Sequence, residues 1–441
     1  MKKYRLGELI EVSRGASLSG ESFAKEGRYI RLTCGNFDYQ NNCFKENTSK
    51  DNLYYIGEFK EEFLLKEGDI ITPLTEQAIG LLGSTALIPE SGKYIQSQDV
   101  AKVTCNEALL DQNYAFYLLS SALVKQQLSA GAQQTKIRHT SPGKIKDCIV
   151  WLPPLTEQKR IGQLLSTIDR KIALNRAINH NLEAMAKQLY DYWFVQFDFP
   201  NAEGKPYKSS GGKMVYNDKL KREIPEGWEV RQLGNLCSFR NGINYTKDEV
   251  GESYSIVNVR NISATSIILD TEDFDVITIP SSKASKYILT KKDIIIARSG
   301  CPGATRLLQI PNNTLFCGFI ICCTPFEGNL RGYLTFQLKI LEGSSATTSG
   351  GSILQNVDQD TLKSLLVAIP PIDLLMSFDK FLNDSIGLLC ADSIKIKKLS
   401  MLRDSLLPLL MNGQVSLNYD LPAFSSPFVQ KLSVAGRALA V

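Results

Sequence analysis

Histidine is scarce in this chain: His139 and His180 are the only two in 441 residues. A sequence so poor in imidazole has little to offer as a general base or a metal ligand at neutral pH. His180 falls mid-helix and reads as a surface or packing residue. Cysteine is present, but its ten copies are scattered (Cys34, Cys43, Cys105, Cys148, Cys237, Cys301, Cys317, Cys322, Cys323, Cys390). No CxxC pair and no Cys/His cluster forms, so a zinc site, or any other metal site, is not expected. No signal peptide is visible, and reduced thiols in a cytoplasmic protein are the expectation. No apolar run approaches the roughly 18 residues of a membrane span, so no membrane partner is expected.

Catalytic motifs are absent too. There is no GxxxxGK[ST] loop; Gly211-Gly212-Lys213 lacks the spaced first glycine and the following Ser or Thr. No GxGxxG follows a strand, and neither GxSxG nor HExxH occurs. Acidic pairs such as Glu61-Glu62 sit in polar, turn-like stretches and read as solvated surface. A long chain without an active-site signature points to a binding or scaffold subunit, with no catalytic residues of its own.

What is present is ordinary globular composition and an unusual organisation. Hydrophobic residues make up 43 % and charged residues 22 %, with a net charge of +4. That length is enough for two or three domains with real cores. The mild positive charge permits a nucleic-acid partner without demanding one.

Residues 153–199 form the organising stretch. A Pro-Pro step leads into a run with Thr156 as expected N-cap and Glu157 in the first turn. Apolar or small residues then recur in a 4-3 rhythm: Ile161, Leu165, Ile168, Ile172, Leu182, Ala186, Leu189 and Trp193. This is a coiled-coil seam, interrupted by two polar positions, Asn175 and Asn179. A helix from Thr156 to Trp193 spans roughly 57 Å and needs a partner. A shift of 217 residues reveals one. Pro153-Pro154 maps onto Pro370-Pro371, Ile161 onto Phe378, Leu165 onto Leu382, Ile172 onto Leu389, Leu182 onto Leu399 and Leu189 onto Leu406. Asn175 maps onto Asp392 and Asn179 onto Ile396. The expectation is that the two helices pack on each other.

The domains repeat with the helices. Residues 1–152 read as a mixed α/β domain, with strands at 29–33, 68–73, 83–88 and 145–152, helical spacing over 113–128, and a polar loop at 129–139. Residues 227–369 repeat it in outline: 256–262 echoes 30–37, 292–300 echoes 68–74, and 348–352 stands where the Gly131 loop stood. Between them, 200–226 reads as an exposed basic connector carrying Lys205, Lys208, Lys213, Lys219, Lys221 and Arg222. Residues 370–412 are the second helix. The tail, 413–441, matches nothing known and is a candidate for disorder. The expected fold class is α+β: two similar domains separated by two long helices that pair as an antiparallel coiled coil.

Side chains of the types that hydrogen-bond base edges recur at strand ends and polar loops of both halves and are the candidate DNA-binding residues. In the first they are Arg31, Asn36, Gln98, Gln133, Gln134, Lys136, Arg138 and His139. In the second they are Asn258, Arg260, Asn261, Arg298, Gln355 and Asn356.

The stretch PPLTEQKRI (153–161), with a long helix ending YDYWFVQFDFP (190–200), closely resembles the central conserved region of type I restriction–modification specificity subunits. LRDSLLPLLMNGQV (402–415) looks like the end of their distal conserved region. DIIIARSG (293–300) and VRNI (259–262) resemble framework segments of their target recognition domains. The resemblance covers most of residues 1–415 and implies a non-catalytic subunit. Each domain would read one half of a split double-stranded DNA target. The helices would set the spacer and dock two methyltransferase subunits, and restriction subunits would complete the complex. S-adenosylmethionine, ATP and magnesium would belong to those partners. There are departures. Ile70 to Thr75 in the first domain lacks an equivalent of Arg298, and the second Pro-Pro lacks the Glu-Gln pair. The alternative is a coiled-coil scaffold that binds protein partners and has no DNA role.

Overall fold

The computed structural model describes residues 1–49, 51–76, 80–130, 138–246, 248–263, 266–269, 273–309, 313–342 and 356–417. Two compact units divide the chain: Met1–Ala173 with Lys397–Val441, and Leu174–Ile396. The division falls inside both long helices, Leu155–Tyr190 and Ile372–Met411. Each unit therefore owns one α/β domain and a segment of each helix.

In the first unit, buried β-branched runs build an antiparallel four-stranded sheet. Its order is Ala86–Leu87, Ile70–Pro73, Val100–Cys105, Ile10–Arg14. A second small sheet pairs Tyr94–Ile95 parallel to Tyr29–Arg31. Lys2–Arg5 pairs antiparallel with Ile149–Leu152 and so delivers the chain to the Pro-Pro step. The core gathers Leu6, Tyr114, Leu118 and Val150 together with Ile161 and Leu165 of the first long helix and Leu410 and Met411 of the second.

The second unit repeats this plan. Its sheet order is Thr305–Leu307, Ile294–Ala297, Ile320–Pro325, Cys237–Asn241, the same sequence of equivalents. Thr314–Phe316 runs parallel to Glu252–Val257, and Glu229–Gln232 pairs with Leu366–Ile369. Here Ala186, Tyr190 and Phe194 pack against Phe378, Leu382 and Ile386. Tyr190 and Phe336 rings stack with centroids 5.3 Å apart.

Within each unit the helix segments run antiparallel. Asp169 meets Arg403 in the first, and Asn179 Nδ2 donates to Ser393 Oγ at 3.4 Å in the second. The expected seam residues Ile161, Leu165, Ile168, Ile172, Phe378, Leu382 and Leu389 are buried. Leu182, Leu189, Leu399, Leu406, Asn175 and Asn179 are half-buried.

Local chemistry shifts several expected boundaries. Thr156 is not the N-cap: the helix starts at Leu155, and the Pro154 carbonyl accepts from the Glu157 and Gln158 amides. Gln158, buried, donates to the Leu109 and Pro153 carbonyls and accepts from the Asp111 amide. Glu157 accepts from the Leu417 amide at 3.0 Å, so the tail is packed through that residue; residues 418–441 lie outside the described residues. The helix at 113–128 is broken at Ser120-Ser121 into Gln112–Leu119 and Ala122–Ala130. Ser141 caps a helical turn at Pro142–Lys146, which delays the last strand to Ile149.

The connector is folded. Met214–Asn217 and Arg222–Pro225 form a hairpin, and Phe199 stacks on both Tyr207 and Trp228. Lys205 pairs with Glu203 and Lys213 with Glu226, so its basic character is partly neutralised. Among the described residues no helix is long and apolar enough to cross a membrane.

Candidate nucleic-acid interface

Antiparallel pairing brings four segments of each domain to one end of its main sheet. In the first domain Arg14 and Thr72 both lie opposite Ala101, and Pro73 opposite Val100. Beyond that end the chain is cross-tied. The Ala16 amide donates to the Gln96 carbonyl, Leu74 to Asp99, and Thr140 to Leu74. Gly15 is required here, because a Cβ on it would sit 2.3 Å from the Gln96 carbonyl oxygen.

The second domain ties the same positions in the same way. Ile243 donates to Phe316, Arg298 to Phe319 at 2.9 Å, and Val357 to Arg298 at 2.9 Å. Gly242 takes the place of Gly15, with a hypothetical Cβ 2.1 Å from the Cys317 carbonyl oxygen. Leu74 and Arg298 are thus structural equivalents, as are Asp99 and Phe319, and Thr140 and Val357. One backbone frame carries different side chains. Leu74 is buried, whereas Arg298 is exposed.

A capping turn flanks each edge. Asn36 Oδ1 accepts from the Thr33 amide at 2.9 Å, and Asn261 Oδ1 accepts from the Asn258 amide at 2.8 Å. Cys34 Sγ lies 2.9 Å from Thr75 Oγ1, and Gly300 lies against Val259, which hold these turns beside the edge.

The candidate readers fall into distinct groups on this frame. Arg31 is buried over the Phe23 ring, 3.8 Å from its centroid, and donates to the Asn52 carbonyl. Burial lowers its pKa. Asn36 is buried and also donates to the Lys45 carbonyl. Asn258 donates to Asp275 Oδ2 at 2.7 Å, Arg260 pairs with Asp275 Oδ1 at 2.6 Å, and Asn261 donates to the Asp273 carbonyl. These polar groups are engaged in holding their own turns. Gln98, His139, Arg298 and Asn356 are exposed at the edge itself. Gln133, Gln134, Lys136 and Gln355 lie outside the described residues, as does the side chain of Arg138, whose backbone pairs with Glu76.

Two edge residues escaped the sequence reading. Arg14 is exposed and donates from Nε to the Gln98 carbonyl at 2.8 Å. Phe319 is 62 % exposed on a tight turn closed by the Ile320 amide and the Cys317 carbonyl. The Arg14-Gly15 and Asn241-Gly242 pairs were the available signal for the first. Nothing in residue type marks an exposed phenylalanine.

Asp358 stands next to this edge as N-cap of Gln359–Ser364. Hydrogen bonds from Thr361 hold its carboxyl below the usual range, and nearby Arg298 acts in the same sense.

Two copies of one framework, differing in side chains at one edge and each joined to long helix segments, define an internally duplicated two-domain protein. The model of the type I restriction modification DNA specificity domain matches residues 1–184 and 225–374. The chain belongs to that family: it is a type I restriction–modification specificity subunit, a DNA-recognition component and not a catalytic one. It is 24 % identical over 308 residues to the type I restriction enzyme MjaIX specificity subunit of Methanocaldococcus jannaschii, covering 68 % of each chain. It is 22 % identical over 316 residues to the HindI specificity subunit of Haemophilus influenzae, covering 60 % of this chain and 68 % of that one. The crystal structure of an S subunit from M. genitalium shares the fold with a TM-score of 0.59, at 14 % identity over 93 % of this chain and 96 % of that one.

Proposed function

We propose that each domain reads one half of a bipartite double-stranded DNA target through the sheet edge described above. The observation that carries this reading is the repeated frame: the same cross-tied segments occur twice, with different side chains on them. Backbone-defined loops with variable side chains suit two related but distinct base-reading tasks. The long helices, of 36 and 40 residues or about 54 and 60 Å, are the spacer element. Leu174, Ile178 and Met185 share one face of the first helix and are exposed. That apolar stripe supports docking of two methyltransferase subunits, with restriction subunits completing a cytoplasmic complex. S-adenosylmethionine, ATP and magnesium are assigned to those partners.

The test is a domain exchange assayed with the cognate methyltransferase subunits. Replacing residues 1–152 by those of a relative should change one half of the methylated target and leave the other intact. Altered readout of both halves, or of neither, would refute the bipartite reading.

A further inference from the structure

The edge of the second domain contains a pairing that residue type alone does not reveal. Arg298 and Phe319 stand side by side on it, joined by the hydrogen bond from the Arg298 amide to the Phe319 carbonyl. Three further backbone bonds fix the strip: Ile320 to Cys317, Gly242 to Ile320, and Val357 to Arg298. The preceding residue, Ala297, and the following residue, Ile320, are paired in the sheet. Both side chains therefore project from rigid backbone, which is what base readout needs.

The two are chemically distinct from their neighbours. Arg260 is committed to Asp275. Among the described residues the Arg298 guanidinium makes no hydrogen bond or ion pair. Its acidic neighbour Asp358 is already held by the Thr361 amide. Phe319 has a built-in comparison: Phe326, also exposed, flanks the strand Ile320–Pro325 at its opposite end.

We propose that Arg298 and Phe319 form the specificity-determining strip of the second domain. Arg298 donates both arms of its guanidinium to the O6 and N7 acceptors of a guanine. Phe319 covers the C5-methyl of a neighbouring thymine in the same major groove. The first domain has Leu74 and Asp99 at these positions, so guanine readout by this route belongs to one half of the target only. The inference rests on the bipartite reading and assigns residues and base chemistry within it.

The experiment uses the full chain assembled with its methyltransferase subunits on a DNA library randomised through both half-targets, with methylated sites read by sequencing. Arg298→Gln should remove the guanine requirement at one position of one half, with methylation of the original target falling about tenfold to a hundredfold. Arg298→Lys keeps the charge without the planar fork and should lose guanine selectivity as well. Phe319→Ala should relax a thymine preference next to it by about fourfold, a loss on the scale of one methyl-sized apolar contact. Phe326→Ala is the control and should leave every position unchanged. If Arg298→Gln and Phe319→Ala leave all positions of the target as they were, in complexes that assemble normally, the strip is not the reader. The bipartite reading then still stands, provided the domain exchange moves one half; if the exchange moves neither half, that reading has failed as well.

Discussion

Asp169 of the first long helix accepts a hydrogen bond from Arg403 Nη1 of the second at 2.9 Å and another from the Tyr117 hydroxyl at 2.5 Å. One carboxylate thus joins both helix segments of the first unit to a helix of its recognition domain. Arg403 is buried and donates onward to the Asn41 carbonyl. In the duplicated frame the position of Asp169 is taken by Ile386, buried in the apolar core of the second unit.

Removing only the carboxylate should be costly, because the buried guanidinium then keeps Asp404, which accepts from its Nε at 2.9 Å, as its one charged partner among the described residues. Asp169→Ala is expected to destabilise the first unit by about 3 kcal/mol. An Asp169→Leu/Arg403→Met pair should cost clearly less than the sum of its single changes. Denaturant titrations of the four proteins check this. Strictly additive losses would mean that the ion pair is incidental to the packing.

Acid should loosen the second unit through Glu342. Burial pushes its pKa up, but hydrogen bonds from Arg306 and Lys339 outweigh that and hold it below the usual value. Arg306 is 1 % exposed and grips both carboxylate oxygens, at 2.6 and 2.9 Å. A depressed folded pKa gives stability that is present above the unfolded value of about 4.3 and lost as pH falls through the folded one. Thermal midpoints of the parent protein should therefore drop between about pH 5 and pH 3. Glu342→Gln should start lower and drop less. Parallel pH curves for the two proteins would exclude Glu342 as the group responsible.

The antiparallel register makes a demand on any attempt to lengthen the helices. Asn179 faces Ser393, so a turn added on one helix must be matched on the other. Four residues inserted after Leu182 together with four after Leu389 should lengthen the tolerated DNA spacer by about one to two base pairs, since a turn rises 5.4 Å. The single insertion after Leu182 should instead impair target methylation. Methylation of a series of spacer lengths decides the matter, and an unchanged optimum in the paired insertion would show that the helices are not the ruler.

The helices and the duplication were legible because they are periodic. Seam residues from Ile161 to Ile172 are apolar at fixed spacing, and the 217-residue offset aligns both Pro-Pro entries. The sheet edge proposed for recognition was only partly legible. Arg31 and Asn36 are of the right type, yet one is covered by Phe23 and the other is spent closing a turn. Amino-acid type reports hydrogen-bonding capacity but not whether the local backbone has already used it. The connector is exposed along its basic residues, as expected, but its hairpin was not legible for a related reason. Its lysines dominate the composition, whereas stacking of Phe199, Tyr207 and Trp228 decides its structure. Phe319 was invisible because an exposed aromatic side chain looks in sequence like a core one.

The close approach of Gly15 to Gln96, and of Gly242 to Cys317, bears on how such a protein acquires new targets. Both contacts are made to backbone atoms, and no side chain takes part in them. Substitutions at Asp99, Arg298 or Phe319, on the edge proposed to face DNA, are therefore expected to leave this frame intact. A saturation scan should show the two glycines as fixed points beside freely exchangeable neighbours. With the edge acting as the proposed reader, such a division between a backbone frame and exchangeable side chains would let recognition change while the fold stays where it is.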